Sequence, residues 1–216
     1  MSATSLKFKM YYEYLNSKVQ PKPLSDFHEI TSTETYDLLI KPLKLKKTAK
    51  ILEIGSGPGY FLDILKKNKF KNVQGIVATT DELELCKKNK HNVRVEDHNF
   101  IDEDDESKDF IICRNTLETS PFPFIALMEY NRILKQKGQI YIEMSAPMND
   151  RNHESRVNYY SLVHDRMIMN WLVRAGFDIT VSNNLESTAK DNKTGKSFLE
   201  KSYGIVATKQ RPIDVK

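Results

Sequence analysis

The stretch 51–61, ILEIGSGPGYF, holds the residues whose types and spacing say most about chemistry. Gly55, Gly57 and Gly59 alternate with other residues directly after an apolar, strand-like run. Glycine reaches positive φ freely and leaves no Cβ between backbone and ligand, so this loop suits a ligand held against bare main chain. A dinucleotide loop wants G-x-G-x-x-G; Gly55 and Gly57 fit, but Tyr60 takes the third place. A phosphate loop wants G-x-x-x-x-G-K-S, and the TGKS of 194–197 imitates its end. There Lys190 stands where the first glycine belongs and no apolar strand precedes, so the tetrapeptide reads as polar loop. Cys86 and Cys113 have no metal-like spacing to Cys or His, so neither zinc nor another metal is expected. His153 has the intrinsic pKa of a general base.

The elements that must position these residues follow from the hydrophobic pattern. Short apolar runs at 51–54, 73–77, 93–95, 110–113 and 139–144 alternate with helix-like stretches at 60–67, 81–89 and 124–134. Strand, helix, strand, repeated, predicts parallel strands with crossover helices. A helix over 162–175, with Met167, Ile168, Trp171, Leu172 and Ala175 at core spacing, is ended by Gly176. Strands at 178–182 and 202–208 follow, joined by a polar loop over 183–197 without a helix. The expected fold class is α/β: a Rossmann-like, doubly wound, mostly parallel seven-stranded sheet with helices on both faces and one antiparallel strand. Residues 1–45 read as a helical lead-in packed on a domain spanning 46–216. Within that lead-in, Thr31 or Ser32 caps a helix carrying Tyr36, Leu39 and Ile40.

Composition narrows the function classes. With 216 residues, 39% hydrophobic and 29% charged, the chain has the makings of a globular core. The net charge of +4 is mild, and its basic residues are spread through helix-like segments, as solvated faces are. The N-terminus shows no secretory signal and no run approaches the length of a membrane span. Two cysteines imply a reducing compartment, hence a soluble, cytoplasmic protein.

A third ligand fits the loop better than the first two. Glu53, Gly55, Gly57 and Gly59 form E-x-G-x-G-x-G, which resembles the nucleotide loop of the class I S-adenosylmethionine-dependent methyltransferase family, of the small-molecule type. The resemblance extends to ALMEYNRILKQKGQIYIEM (126–144), to FIICRNTLETSPFP and to VRAGF, in the family's order, and covers roughly 48–208. It implies S-adenosyl-L-methionine as cofactor. By the same resemblance Glu53 reaches toward the ammonium group, Gly55, Gly57 and Gly59 permit close approach, and Ser56 is a polar contact. Asp97 accepts from the adenine amine, while His98 packs on the ring or donates its backbone N–H. Arg114 belongs to the same cofactor-binding set. The acidic run 102–106 (DEDDE) reads as solvated surface and no metal site.

The family pattern fails in two places. Its second strand usually ends in an acid that grips the ribose hydroxyls, and here that place falls on Val77. Thr79 or Asp81 is the candidate substitute, against the alternative that Asp81 and Glu82 only stabilise a helix N-terminus. The family's R-H-x-L-E-H reads Arg114-Asn115-Thr116-Leu117-Glu118-Thr119, so both histidines are missing and Glu118 is the remaining proton acceptor there. The segment 146–161 is expected to cover the acceptor, with His153 as base and Tyr160 or Tyr159 closing the pocket or meeting the sulfonium. The paired-proline tetrapeptide of nucleic-acid amino methylation is absent; Ser120-Pro121-Phe122-Pro123 only approximates it. The expected function is therefore methyl transfer to an O or N atom of a small-molecule acceptor, without nucleic acid or membrane. The alternative is a non-catalytic or regulatory S-adenosylmethionine binder.

Overall fold

The computed structural model describes residues 26–147, 160–190 and 197–212. Seven strands form one sheet: β1 (Lys50–Ile54), β2 (Asn72–Val77), β3 (Val93–Val95), β4 (Lys108–Arg114), β5 (Leu134–Ser145), β6 (Phe177–Lys190) and β7 (Ser197–Lys209). Their order is β3-β2-β1-β4-β5-β7-β6. The first five are mutually parallel, while β7 runs antiparallel between β5 and β6. Strand order reverses between β1 and β4, and in open α/β sheets the ligand crevice lies at the carboxyl ends there.

Helices α2 (Tyr60–Lys67), α3 (Thr80–Lys88) and α4 (Pro123–Ile133) are the crossovers. Helix α5 (Asp165–Arg174) precedes β6, and Gly176 at φ +86° turns the chain into that strand. Alternate strand residues face opposite cores. Leu52, Ile54, Ile111 and Ile140 pack with Leu127, Tyr130, Ile168 and Leu172 on one side. Ile51, Phe110, Ile112 and Tyr141 pack with Tyr36, Leu39, Phe61 and Leu65 on the other. Both faces are covered, which is why the parallel strands read as unbroken apolar runs.

Three expectations need correction. Helix α1 spans Asp26–Thr35 and runs straight into a π-turn at Tyr36–Ile40, so Thr31 and Ser32 lie inside it and cap nothing. Ser32 is instead buried, its hydroxyl 2.7 Å from Arg114. Met167 is 46% exposed, and the core face of α5 is carried by Ile168 and Leu172. The polar stretch after 182 is a strand: β6 pairs with β7 from Phe177↔Lys209 out to Lys190↔Ser197. The pairing of β7 with β5 ends at Ser145↔Ser202, so among the described residues the outer part of this hairpin has no sheet neighbour on the β5 side. Asn183, Asn184, Glu186 and Thr188 on β6 are polar and exposed, which hid the strand in the sequence.

Candidate active site

The loop after β1 is closed by its own backbone. Gly55 and Ser56 both donate N–H to the Ile76 carbonyl on β2, at 2.9 and 3.0 Å, and Gly59 N–H donates to the Ser56 carbonyl. All three glycines have positive φ, but their surroundings differ. A Cβ on Gly55 would lie 2.0 Å from Thr116 Oγ1, and one on Gly59 would lie 2.6 Å from the His91 ring. At Gly57 a Cβ would meet nothing within 4 Å. Gly55 and Gly59 are therefore required by packing, and Gly57 alone opens bare main chain onto free space. Ser56, expected to touch the ligand, is buried, with its hydroxyl donating to the Glu53 carbonyl and seated against Gly75. Its side chain secures the loop to β2.

Glu53, at the end of β1, is 4% exposed, and its Oε2 has no hydrogen-bond partner. Burial raises its carboxyl to about 8, and the nearby Arg114 guanidinium offsets only part of that. The reason is competition. Arg114 on β4 holds Glu143 of β5 through Nε–Oε2 at 2.9 Å and Nη2–Oε1 at 3.3 Å, and donates to Ser32. Glu143 also accepts from Tyr141 at 2.8 Å and Thr35 at 3.2 Å. Burial would raise Glu143 as well, but Arg114 outweighs it and holds this carboxyl below its ordinary value. One cation between two acids satisfies Glu143 and leaves Glu53 starved. Arg114, placed by sequence among the cofactor contacts, thus acts on Glu53 electrostatically and ties α1 to the sheet.

At the end of β2, Val77 is buried and apolar. Thr79 is the N-cap of α3: its Oγ1 accepts from Glu82 N–H at 3.2 Å. The Glu82 carboxylate turns back to the Thr79 hydroxyl at 3.3 Å, in the manner of a capping box; burial raises it, and the nearby Thr79 hydroxyl and Ala78 and Thr79 N–H groups offset part of that. Asp81 is exposed. At the end of β3, Asp97 is 5% exposed; its Oδ1 accepts from Asn99 backbone and side chain, while Oδ2 has no partner. His98 turns inward, its Nδ1 paired with the Tyr130 hydroxyl at 2.7 Å, and burial lowers its pKa to about 4. That ring belongs to the core, which leaves its backbone N–H for a ligand.

Glu118 lies in a short 3₁₀ turn (Leu117–Thr119) and is fully buried, its Oε1 accepting from Ser145 N–H at 3.3 Å. In this arrangement it fixes the β4 loop to the end of β5; a proton acceptor would need access to the substrate. Tyr160 is 41% exposed, and its backbone N–H donates to the Glu118 carbonyl at 2.7 Å. His153 and Tyr159 lie outside the described residues. Sequence reasoning missed Thr116, which walls Gly55, and Glu143, whose acidic type inside an apolar strand was the available signal. In the run 102–106 Asp102, Asp104, Asp105 and Glu106 are exposed, whereas Glu103 is half-buried and pairs with Arg94 at 2.9 Å and Lys108 at 2.7 Å. No cluster among the described residues could hold a metal ion.

The sequence matches the family described as "Methyltransferase domain" over residues 28–180, most of the chain. The chain belongs to this methyltransferase family. Solved structures show the same fold. A candidate methyltransferase from Bacillus halodurans aligns over 82% of this chain and 100% of its own, with 19% identity and a TM-score of 0.69. An S-adenosylmethionine-dependent methyltransferase from Methanosarcina mazei aligns over 80% and 97%, with 18% identity and a TM-score of 0.63. The [4+2]-cyclase SpnF aligns over 89% and 85%, with 11% identity and a TM-score of 0.69. No curated protein matches the sequence.

The methyltransferase's cofactor is S-adenosylmethionine, and the residues at the carboxyl edge fit it. Its ammonium group needs a buried acceptor, and Glu53 Oε2 lacks a donor. Its body must lie against unobstructed main chain, and Gly57 offers that. Asp97 Oδ2 is a second buried acceptor without a partner. No helix among the described residues is long and apolar enough to cross a membrane.

Proposed function

We propose that this methyltransferase moves a methyl group to an O or N atom of a small-molecule acceptor. The observation behind the choice of acceptor is the end of β4, where Arg114-Asn115-Thr116-Leu117 stands in place of the paired-proline tetrapeptide of nucleic-acid amino methylation. Tyr160 and Ser161 N–H both donate to the Glu118 carbonyl, at 2.7 and 3.1 Å, which places these two residues beside the turn after β4. When bound, the cofactor supplies a methyl group on a positively charged sulfur that leaves as a neutral thioether. The chain's task is to hold, align and exclude water. Glu53 holds the ammonium group, the Gly57 main chain lets the cofactor settle, and Asp97 holds the adenine edge. Alignment of two reactants is worth roughly 7–11 kcal/mol of barrier. The acceptor's proton, where one is lost, passes to His153 or to solvent, since Glu118 is engaged with Ser145. A cytoplasmic setting accords with Cys86 and Cys113 being free buried thiols, both raised to about 12 by burial.

A second reading, a binder of S-adenosylmethionine that transfers no methyl group, is favoured by the engagement of Glu118. SpnF, a cyclase on the same fold, illustrates other chemistry on this frame. Calorimetry with S-adenosylmethionine tests both. Wild type is expected to bind and Gly57→Arg to lose binding, because the new side chain fills the free space. No heat with millimolar ligand removes both readings. Methyl-labelled cofactor incubated with a metabolite extract separates them: a labelled product supports transfer, and none across wide conditions supports the binder.

A further inference from the structure

We propose that Glu82, reaching back from α3, supplies the acid for the cofactor's ribose hydroxyls that β2 lacks. The inference rests on the S-adenosylmethionine reading above and adds a binding residue to it. Strand β2 ends in Val77, followed by Ala78, and neither side chain can accept a hydrogen bond. Of the two acids opening α3, Asp81 is exposed, whereas Glu82 is partly buried. The Glu82 carboxylate accepts from the Thr79 hydroxyl at 3.3 Å, and it lies close enough to the Ala78 and Thr79 N–H groups for them to counter part of the rise that burial imposes on it. Those are the two residues directly after Val77, so the carboxylate sits over the strand end, where an acid on β2 would project.

The helix also aims it. Residues four apart share a helix face. Cys86, one turn beyond Glu82, has its Sγ 3.0 Å from the Gly57 carbonyl. The face of α3 carrying Glu82 is therefore the face packed on the glycine loop. The same rim holds two further carboxylate oxygens without donors, Glu53 Oε2 and Asp97 Oδ2, each on a side chain more than nine-tenths buried. A capping box alone would account for Glu82's backbone contacts, but not for an acid on the loop-facing side of the helix. A carboxylate has about four acceptor sites, so those contacts orient it and leave room for a diol.

The test uses S-adenosylhomocysteine and its 2′,3′-dideoxy counterpart as calorimetric probes. Wild type is expected to bind the dideoxy probe roughly ten- to a hundredfold more weakly, the range for hydrogen bonds to a charged group. Glu82→Gln, which keeps an acceptor for the cap, should lose a similar factor for S-adenosylhomocysteine and nearly nothing further for the dideoxy probe. Glu84→Gln, the same charge change on an exposed position of α3, should bind both probes as wild type does. Equal wild-type affinity for the two probes overturns the proposal without reference to any variant. So does an unchanged Glu82→Gln, or a loss on Asp81→Asn in its place. If wild type binds neither probe, the cofactor reading fails first and takes this one with it.

Discussion

Around the run 102–106 acids meet cations; around the glycine loop they do not. Glu103 is paired with Arg94 and Lys108, Asp105 with Arg132, and Glu106 with Lys209. Although burial pushes the Glu103 carboxyl up, hydrogen bonds from Lys108 and Arg94 outweigh it and hold it below its usual range. Glu53 is buried more completely, yet its neighbouring cation is committed to Glu143 and its carboxyl rises to about 8. Glu103 and Glu53 each sit where water is scarce, whereas Asp105 and Glu106 are exposed. Glu103 completes its charge pairing within the chain, and Glu53 leaves an acceptor open to a ligand. The contrast separates a structural acid cluster from a binding site without appeal to residue type.

Removing Glu103 should break the satisfied region most severely. Lys108 is 4% exposed, and its ammonium group would keep only the Gln74 side chain as partner. Stranding a buried charge costs about 3 kcal/mol. Glu103→Ala is therefore expected to lower the denaturation midpoint by several degrees in calorimetry while leaving S-adenosylhomocysteine affinity within about twofold. Its wild-type stabilisation has a definite sign. A depressed carboxyl stabilises above its unfolded value of 4.5 and loses that contribution as pH falls through the folded value. An affinity loss comparable with the stability loss would show that the two regions are not separate.

Glu53→Gln should do the reverse. Its raised carboxyl favours the fold at low pH, and that contribution fades as pH rises from 4.5 through about 8. The variant should remove this slope from the melting temperature. Binding of an ammonium group requires the ionised form, so wild-type affinity should rise with pH up to about 8 and complex formation at pH 7 should release a proton. Titrations in two buffers of different ionisation enthalpy detect that proton. The variant should release none and bind about thirtyfold more weakly, near 2 kcal/mol. Proton release that survives the substitution would assign it elsewhere.

What the sequence made legible follows from the range of each interaction. Strand β3 and helix α2 were expected at their observed bounds; an apolar pattern is local, and α2 buries one through Phe61, Leu62, Ile64 and Leu65, while the β3 residues are half-buried. The three glycines were visible, but their division of labour was not, since Thr116 and His91 reach Gly55 and Gly59 from distant stretches of chain. Ser32 looked like a cap because nothing nearby reveals a guanidinium 82 positions later. Of the acids at 102–106 four are exposed, as their run implied, and only Glu103 is drawn in, by Arg94 and by Lys108. Glu82 was visible only as a charge suited to a helix start, and its position over β2 depends on which face α3 turns to the glycine loop.

The smallest expected effect bears on that last point and separates two claims about the end of β2. Thr79 was a candidate ribose contact in sequence, and its hydroxyl is the cap acceptor for Glu82 N–H. Valine keeps the shape and removes the acceptor, which costs about 1 kcal/mol of helix stability. Thr79→Val should therefore melt roughly 2–4 °C lower, as expected for a chain of this size. Because the Ala78 and Thr79 backbone donors remain, Glu82 stays over the strand end and affinity for S-adenosylhomocysteine should fall only a few-fold. Thr79→Ser should restore both quantities. If Thr79→Val instead weakened binding as far as Glu82→Gln and kept its melting temperature, the hydroxyl would be touching the ligand. The starved rim would then extend to Thr79 itself, with Glu82 reduced to a cap.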